Sequence, residues 1–350
     1  MGSPLAAWHA DHGATMTDID GVSLPARYTG VDAEIAAARS GVGLLDLSHL
    51  PTITIESSDA KRWCNGMFTN NIRKMSTGEG SRSAMCDDRG RVQGLIDLYC
   101  TSDDSFFAVL DGVDLGWFNK RYGMYMVLDD IEMEDCSEEL VVLSMQGPGV
   151  DALLAAVSLP VPEVERGHLT GTFGGAELRV ARRDRTGLSG VDLFVPQEVA
   201  GALWAALSDA GATPLGHEAL DALRILDGRA RWPNDGTAKS MVHELRINEE
   251  CCAFDKGCYV GQEVINRIDV KGAIQKRLTG LRINGTAPIG AKLLLGERKI
   301  GTLTSTAVID GEQVGLAVLR KVAWEPGTVV TIQPEDGEAL SATVADFSQG

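Results

Sequence analysis

Apolar and polar positions alternate in short runs along most of the chain, and changes in their period separate strands from helices. The opening segment reads as loop as far as Gly30. Val31–Ser40 then carries a helical pattern, with Gly41 as its stop. Leu44, Leu45, Leu47 and residues 52–55 (TITI) read as strand, and Ser58 as the N-cap of a helix running past Trp63 to about Gly66. Residues 82–99 predict a hairpin around the polar corner DDRG, followed by a strand at 105–110 and a helix at 113–121. Residues 141–144 are again extended, and Gln146–Gly147–Pro148 leads into an Ala/Leu helix.

Residues 170–180 and 190–195 form a hairpin-like pair flanking 182–187, and amphipathic helices follow at 196–210 and 218–226. Strands and helices interleave without a steady βαβ beat, which favours an α+β fold over a doubly wound sheet. From Lys276 onward the character changes to short strands punctuated by glycine (LTGLRI, KLLLGERKIGTLTSTAVI, VGLAVL, TVVTI). Turns at that spacing predict an antiparallel barrel or sandwich of about 75 residues, with its boundary near Ala273.

Composition narrows the function. The chain has 350 residues, 44% of them hydrophobic and 23% charged, and suits a soluble protein of more than one domain. Its net charge of −17 speaks against nucleic acid and anionic membrane as partners, since both need clustered Lys and Arg. A local basic pocket would stand out for its rarity. Seven acids between residues 129 and 139 lack calcium-loop spacing and read as a solvated face. No stretch reaches the roughly 20 apolar residues that span a bilayer, and the first residues carry no signal-peptide pattern. Seven cysteines without framework spacing imply a reduced, cytoplasmic setting. No metal site is expected: CxxC is absent, and Cys251, Cys252 and Cys258 lack zinc spacing.

The chemistry concentrates in residues 254–267, FDKGCYVGQEVINR. Gly257 and Gly261 permit sharp turns and close backbone approach to a ligand. Lys256 offers a point charge for a carboxylate or phosphate. Cys258, with Lys256 and Arg267 near it in sequence, is a candidate nucleophile or soft-metal ligand, and Tyr259 a candidate stacking face for a heterocycle. Gln262 and Glu263 open a helical run. On residue chemistry alone, a glycine turn around a buried cysteine is the competing reading. His49, His243, Cys251, Cys252, Met67, Met85 and Met145 read as structural.

KGCYVGQE followed by Arg267 resembles the signature of the YgfZ-type folate-binding proteins, relatives of the glycine-cleavage T-protein (aminomethyltransferase). Further stretches resemble the T-protein in order along the chain. They are His12–Gly13–Ala14, the segment from Leu24 to Tyr28, GLLDLSH from Gly43, FTNN from Phe68, Gln146–Gly147–Pro148, DALR from Asp221, and Gly301 to Ser305. The resemblance implies a three-lobed α+β ring around a central folate channel. Its lobes would be a discontinuous folate-binding domain (1–50 and 139–240), a second α+β domain (51–138), a signature-loop connection (241–274) and a C-terminal β-barrel (275–350). Tetrahydrofolate is the implied cofactor. Arg224 would grip it, Trp232 and Asn234 would border its cavity, and Asn70, Lys256, Gly257, Tyr259, Gly261, Gln262, Glu263 and Arg267 would complete the site.

Two departures matter. The family's acidic pair on the hairpin strand falls on Gly94 and Leu95, and its pterin-contacting glutamate falls on Leu188. Asp97 lies about 7–10 Å further along the strand and on the other face from Gly94. The expectation is therefore a monomeric folate-binding protein that supports iron–sulfur cluster assembly or repair through Cys258, with iron–sulfur client or assembly proteins as partners. The alternative is a folate-dependent aminomethyltransferase.

Overall fold

The computed structural model describes residues 3–272 and 274–347. It contains a two-stranded ribbon, a six-stranded sheet, a five-stranded sheet and a closed six-stranded barrel, with helices between them. The expected α+β class and C-terminal barrel are both present. The chain divides into two compact units interleaved in sequence. Unit 1 comprises the residues up to Cys64, Ile72–Ser81 and Ile96–Leu220; unit 2 comprises Asn65–Asn71, Arg82–Leu95 and the residues from Asp221 onward.

In unit 1 the six-stranded sheet runs His168–Phe173, Ala176–Arg182, Gly190–Pro196, Leu140–Gln146, Gly43–Asp46, Thr213–Pro214. All neighbours are antiparallel except the last pair. Leu44, Leu143, Val191 and Leu193 pack with Leu203 and Trp204 of the helix Gln197–Asp209. Helix Val31–Ser40 ends at Gly41 as expected. The run at 170–180 is two strands instead of one, because Gly174 and Gly175 both adopt positive φ and turn the chain. Beneath the sheet, Asp46 accepts hydrogen bonds from Ser3 (2.5 Å) and His9 (3.0 Å), and Tyr28 bonds the other ring nitrogen of His9 at 2.7 Å.

The five-stranded sheet has the order Gly80–Cys86, Val92–Ser102, Ser105–Asp111, Thr52–Glu56, Glu132–Asp135. The acid-rich segment supplies its edge strand with mostly exposed side chains, as a solvated face should. The first two strands are the arms of the expected hairpin. Asp87 closes its corner by accepting the N–H groups of Arg89 and Arg91 on its side chain. Helix Ala60–Met67 starts one residue later than a Ser58 cap would give; the Asp59 carbonyl takes the Trp63 N–H instead. The helix expected at 113–121 extends over Leu115–Leu128, capped by Asp114, whose carboxylate accepts the Trp117 N–H at 2.6 Å.

In unit 2 the barrel closes in the order Lys276–Asn284, Glu312–Arg320, Arg298–Ile309, Lys292–Leu295, Val329–Gln333, Leu340–Ala345, returning to the first strand. Leu293, Leu303, Leu319 and Ile332 fill it. The expected boundary residue, Ala273, lies outside the described residues; barrel pairing begins at Lys276.

Candidate functional site

The signature loop of unit 2 is built on its own chain. Gly261 has φ +83°, and a Cβ there would lie 2.7 Å from both the Asp87 carbonyl oxygen and the Gly90 Cα. Its close approach is thus to the hairpin corner, and the ligand approach expected of it is replaced by backbone packing. Helix Gln262–Lys271 follows, as the polar-then-apolar run predicted. The Lys256 ammonium donates to three backbone carbonyls, those of Asn65 (2.7 Å), Phe68 (2.6 Å) and Asn70 (2.5 Å). These close helix Ala60–Met67 and the turn after it, whose carbonyls lack intrahelical partners. The ammonium also sits 4.7 Å from the centre of the Tyr259 ring.

That arrangement revises several expected ligand contacts. Lys256 is a clamp on the protein backbone. Tyr259 is buried at 7% exposure among Cys86, Trp232, Cys252 and Ile265, so its faces are covered by protein. Burial, joined by the nearby Cys252, raises the Tyr259 pKa above its ordinary value. Trp232 is equally buried, and its indole N–H donates to the Gln93 carbonyl at 3.1 Å. The Asn70 amide donates to the Arg82 and Glu250 carbonyls, while its oxygen accepts the Asn71 N–H. Gln262 donates to the Lys256 carbonyl at 3.3 Å.

Arg224 is likewise committed. Its guanidinium donates to Asp221 (2.7 Å), the Arg229 carbonyl (3.1 Å), Asp235 (2.5 Å) and Ser305 (2.6 Å). Four of its five N–H donors are used within unit 2. Asp235 is 1% exposed and also accepts Thr304 (2.5 Å), Ser305 (2.7 Å) and the Arg231 N–H (3.0 Å). This hub ties the helix His217–Leu226 and the loop after it to the barrel strand Arg298–Ile309. Arg224 is an anchor, and the grip on folate expected of it is not the geometry it has.

The remaining expected residues are open. Asn234, Gly257, Cys258, Glu263 and Arg267 are exposed, and a Cβ at Gly257 would meet open space. All seven cysteines are free thiols, and Cys258 alone of them is exposed. Burial drives the Cys252 thiol up to about 11, which suits the inert role read for it. Among the described residues no His, Cys, Asp and Glu side chains group as a metal site, and no helix is long and apolar enough to cross a membrane.

A second polar centre, in unit 1, was underweighted in the sequence. Asp97 is 1% exposed and lies between two guanidinium groups, 3.4 Å from Arg166 and 3.3 Å from Arg183. Arg185 binds Asp192 through a fork of 3.0 and 2.7 Å. Gln146 fixes the segment between them, donating to the Arg183 carbonyl and accepting the Arg185 N–H, both at 2.9 Å. Burial, followed by the Asp97 and Asp192 charges, raises the pKa of Tyr99 well above the usual phenol range and keeps it protonated. The signal was visible in RVARRDR, residues 179–185, the kind of local basic run that is rare in so acidic a chain.

Comparison with known proteins fits this architecture. A family model described as the GCVT N-terminal domain matches residues 5–256. An aminomethyltransferase of Chlorobaculum tepidum is 29% identical over 349 residues, covering 94% of this chain and 93% of that protein. One from Herpetosiphon aurantiacus is 29% identical over 293 residues, covering 81% and 78%. The crystal structure of the glycine cleavage system aminomethyltransferase T from Bartonella henselae superposes with a TM-score of 0.89 at 20% identity, covering 99% of this chain and 97% of that one.

Proposed function

The chain belongs to the GCVT N-terminal domain family, and from that premise we propose that it binds a tetrahydrofolate and acts in folate-dependent one-carbon transfer. The observation that carries this reading is the near end-to-end match to relatives named aminomethyltransferase. The relatives named above are called aminomethyltransferase, so the coarser family stands where the finer resemblance was expected. Asn234 and Cys258 in loops, and Glu263 and Arg267 on helix Gln262–Lys271, are exposed and able to meet a ligand.

A second reading, support of iron–sulfur cluster assembly, is favoured by one specific pairing of observations. Cys258 is exposed on a braced loop, while Gly94, Leu95 and Leu188 carry no carboxylate where the resemblance implies one. Loss of a single electrostatic group of that kind costs on the order of 100-fold or more in rate.

The two readings separate experimentally. Tetrahydrofolate titration followed by tryptophan fluorescence should show saturable binding, and its absence removes both. A glycine-cleavage assay with lipoyl carrier protein should then show turnover for the transferase. Binding without turnover, together with rescue of an iron–sulfur maturation defect by wild type but not by Cys258→Ser, would move the conclusion to the second reading.

A further inference from the structure

We propose that the outward face of helix Leu115–Leu128 in unit 1 binds a second copy of this chain, the two helices running antiparallel about a two-fold axis level with Tyr125. A monomer was expected from the sequence; this face argues for a weak dimer instead, and it does not depend on the folate reading.

The helix is apolar on two sides. Phe118, Tyr122 and Met126 recur every four residues and are buried. Across from them lie Lys120, Gly123, Met124 and Val127, also at three- and four-residue spacing, with Leu128 at the border. An outward helix face is normally polar. Here Met124, Val127 and Leu128 are 69%, 83% and 75% exposed. Together they present an apolar patch on the order of 400 Å², a size that marks interaction surfaces. Gly123 lies within it. A glycine inside a helix costs about 1 kcal/mol relative to alanine. Gly123 has no positive φ, and a Cβ added there would meet open space. Nothing within the chain calls for a glycine, whereas a side chain of a partner seated over it would.

The charges at the two ends of the patch select the partner. Lys120 lies before it and Asp130 after it. Both are exposed, and neither has an ion pair or side-chain hydrogen bond among the described residues. Asp129, by contrast, is taken up by Arg62 at 2.8 Å. Asp130 holds φ +53° just past the helix end, a position that glycine fills without steric cost. Its carboxylate also faces the negative end of the helix dipole, so helix termination does not explain an acid there.

A cation at one end and an acid at the other make this surface complementary to itself when reversed, as an isologous contact requires. Residues 120 and 130 are centred on position 125, and so are residues 123 and 127. One two-fold axis at that level therefore sets Lys120 of each copy against Asp130 of the other, and Val127 of each over Gly123 of the other. The missing Cβ lets the helix axes approach to the short end of the usual 8–10 Å. Two such patches bury on the order of 800 Å², short of the roughly 1,200 Å² of stable dimers, which makes the dimer a weak one.

Sedimentation equilibrium of the full chain from about 10 μM to about 1 mM at low ionic strength tests this. The average mass should rise toward the dimer, with a midpoint on the order of 100 μM. Val127→Glu should weaken association by about tenfold or more. Gly123→Gln should do the same while leaving the fold intact, because it removes a glycine from a helix interior. Lys120→Glu and Asp130→Lys should each suppress self-association. A mixture of those two variants should associate again, since both charge contacts are attractive only between unlike copies. A monomer throughout the range would overturn the proposal and leave the patch to a different protein. Association that persists in Val127→Glu and Gly123→Gln, or charge variants that fail to recover on mixing, would overturn it equally.

Discussion

The two buried arginine–carboxylate centres differ in how completely they close. In unit 2, Arg224 and Asp235 meet at 2.5 Å, and Asp235 takes three further hydrogen bonds from Thr304, Ser305 and the Arg231 N–H. In unit 1, Asp97 stands 3.4 and 3.3 Å from two guanidinium groups. A charge pair removed from water stabilises little unless its geometry is tight and its remaining donors and acceptors are satisfied. The first centre meets that condition and behaves as scaffold. The second is looser, and it was the resemblance to the T-protein that had marked Arg224 as the folate grip.

The largest effect should come from opening the closed centre. Arg224→Met leaves the 1% exposed Asp235 carboxylate without its cation. Removing one partner of a buried pair costs about 3–5 kcal/mol. Urea denaturation should show that loss in stability. A variant of near wild-type stability that has lost folate binding would reverse the assignment of Arg224 as an anchor.

Next in size is an acid-dependent loss in unit 1. His168 donates from Nε2 to the Cys100 carbonyl at 2.9 Å and accepts from Arg179 at Nδ1 at 2.7 Å, so it is held as the neutral ring. Burial, then the Arg179 charge, lowers its pKa to about 4 from 6.5. The unfolded chain takes up this proton as pH falls through 6.5, and the folded chain only near 4. Its contribution is therefore fully present above pH 6.5 and is lost progressively as pH falls toward 4. A shift of that size amounts to about 3 kcal/mol at 1.36 kcal/mol per unit. His168→Gln should flatten the stability profile between those pH values; an unchanged slope would locate the acid sensitivity elsewhere.

Local structure was the more legible part of the sequence. Val31–Ser40, the DDRG corner and the start of the helix at Gln262 follow from caps, turn residues and periodicity, which are properties of neighbouring residues. The strand Leu340–Ala345 escaped because LSATVA is short and half polar, and only barrel closure gives it partners on both sides. Side-chain roles were less legible for the same reason. The Lys256 ammonium ends on carbonyls more than 180 positions earlier in the chain, and no spacing rule encodes that. RVARRDR carried a run of charge that the sequence reading passed over, and nothing in it names the partner Asp97.

A smaller effect tests the clamp assigned to Lys256. Lys256→Met removes three charge-assisted hydrogen bonds but keeps most of the stem over Tyr259. Hydrogen bonds to charged groups are worth roughly 1.5–3 kcal/mol each, and water can reach part of this half-buried site, so a net loss of about 2 kcal/mol is expected. Chemical denaturation measures it. Loss of activity in this variant would then report a damaged loop as readily as a missing ligand contact, which makes Lys256 a poor probe of binding.

Cys258 should show the smallest stability effect and is the cleaner probe for that reason. It is exposed, lies between an open Gly257 and the buried Tyr259, and carries no disulfide. Surface substitutions of this kind change stability by less than about 0.5 kcal/mol. Cys258→Ser should therefore unfold at the wild-type denaturant midpoint while losing labelling by a thiol reagent under native conditions, since the other six thiols are buried. With folding unchanged, any loss of turnover or of iron–sulfur rescue belongs to the thiol itself. A midpoint well below wild type would instead make Cys258 part of the brace, on the same footing as Arg224 and Lys256.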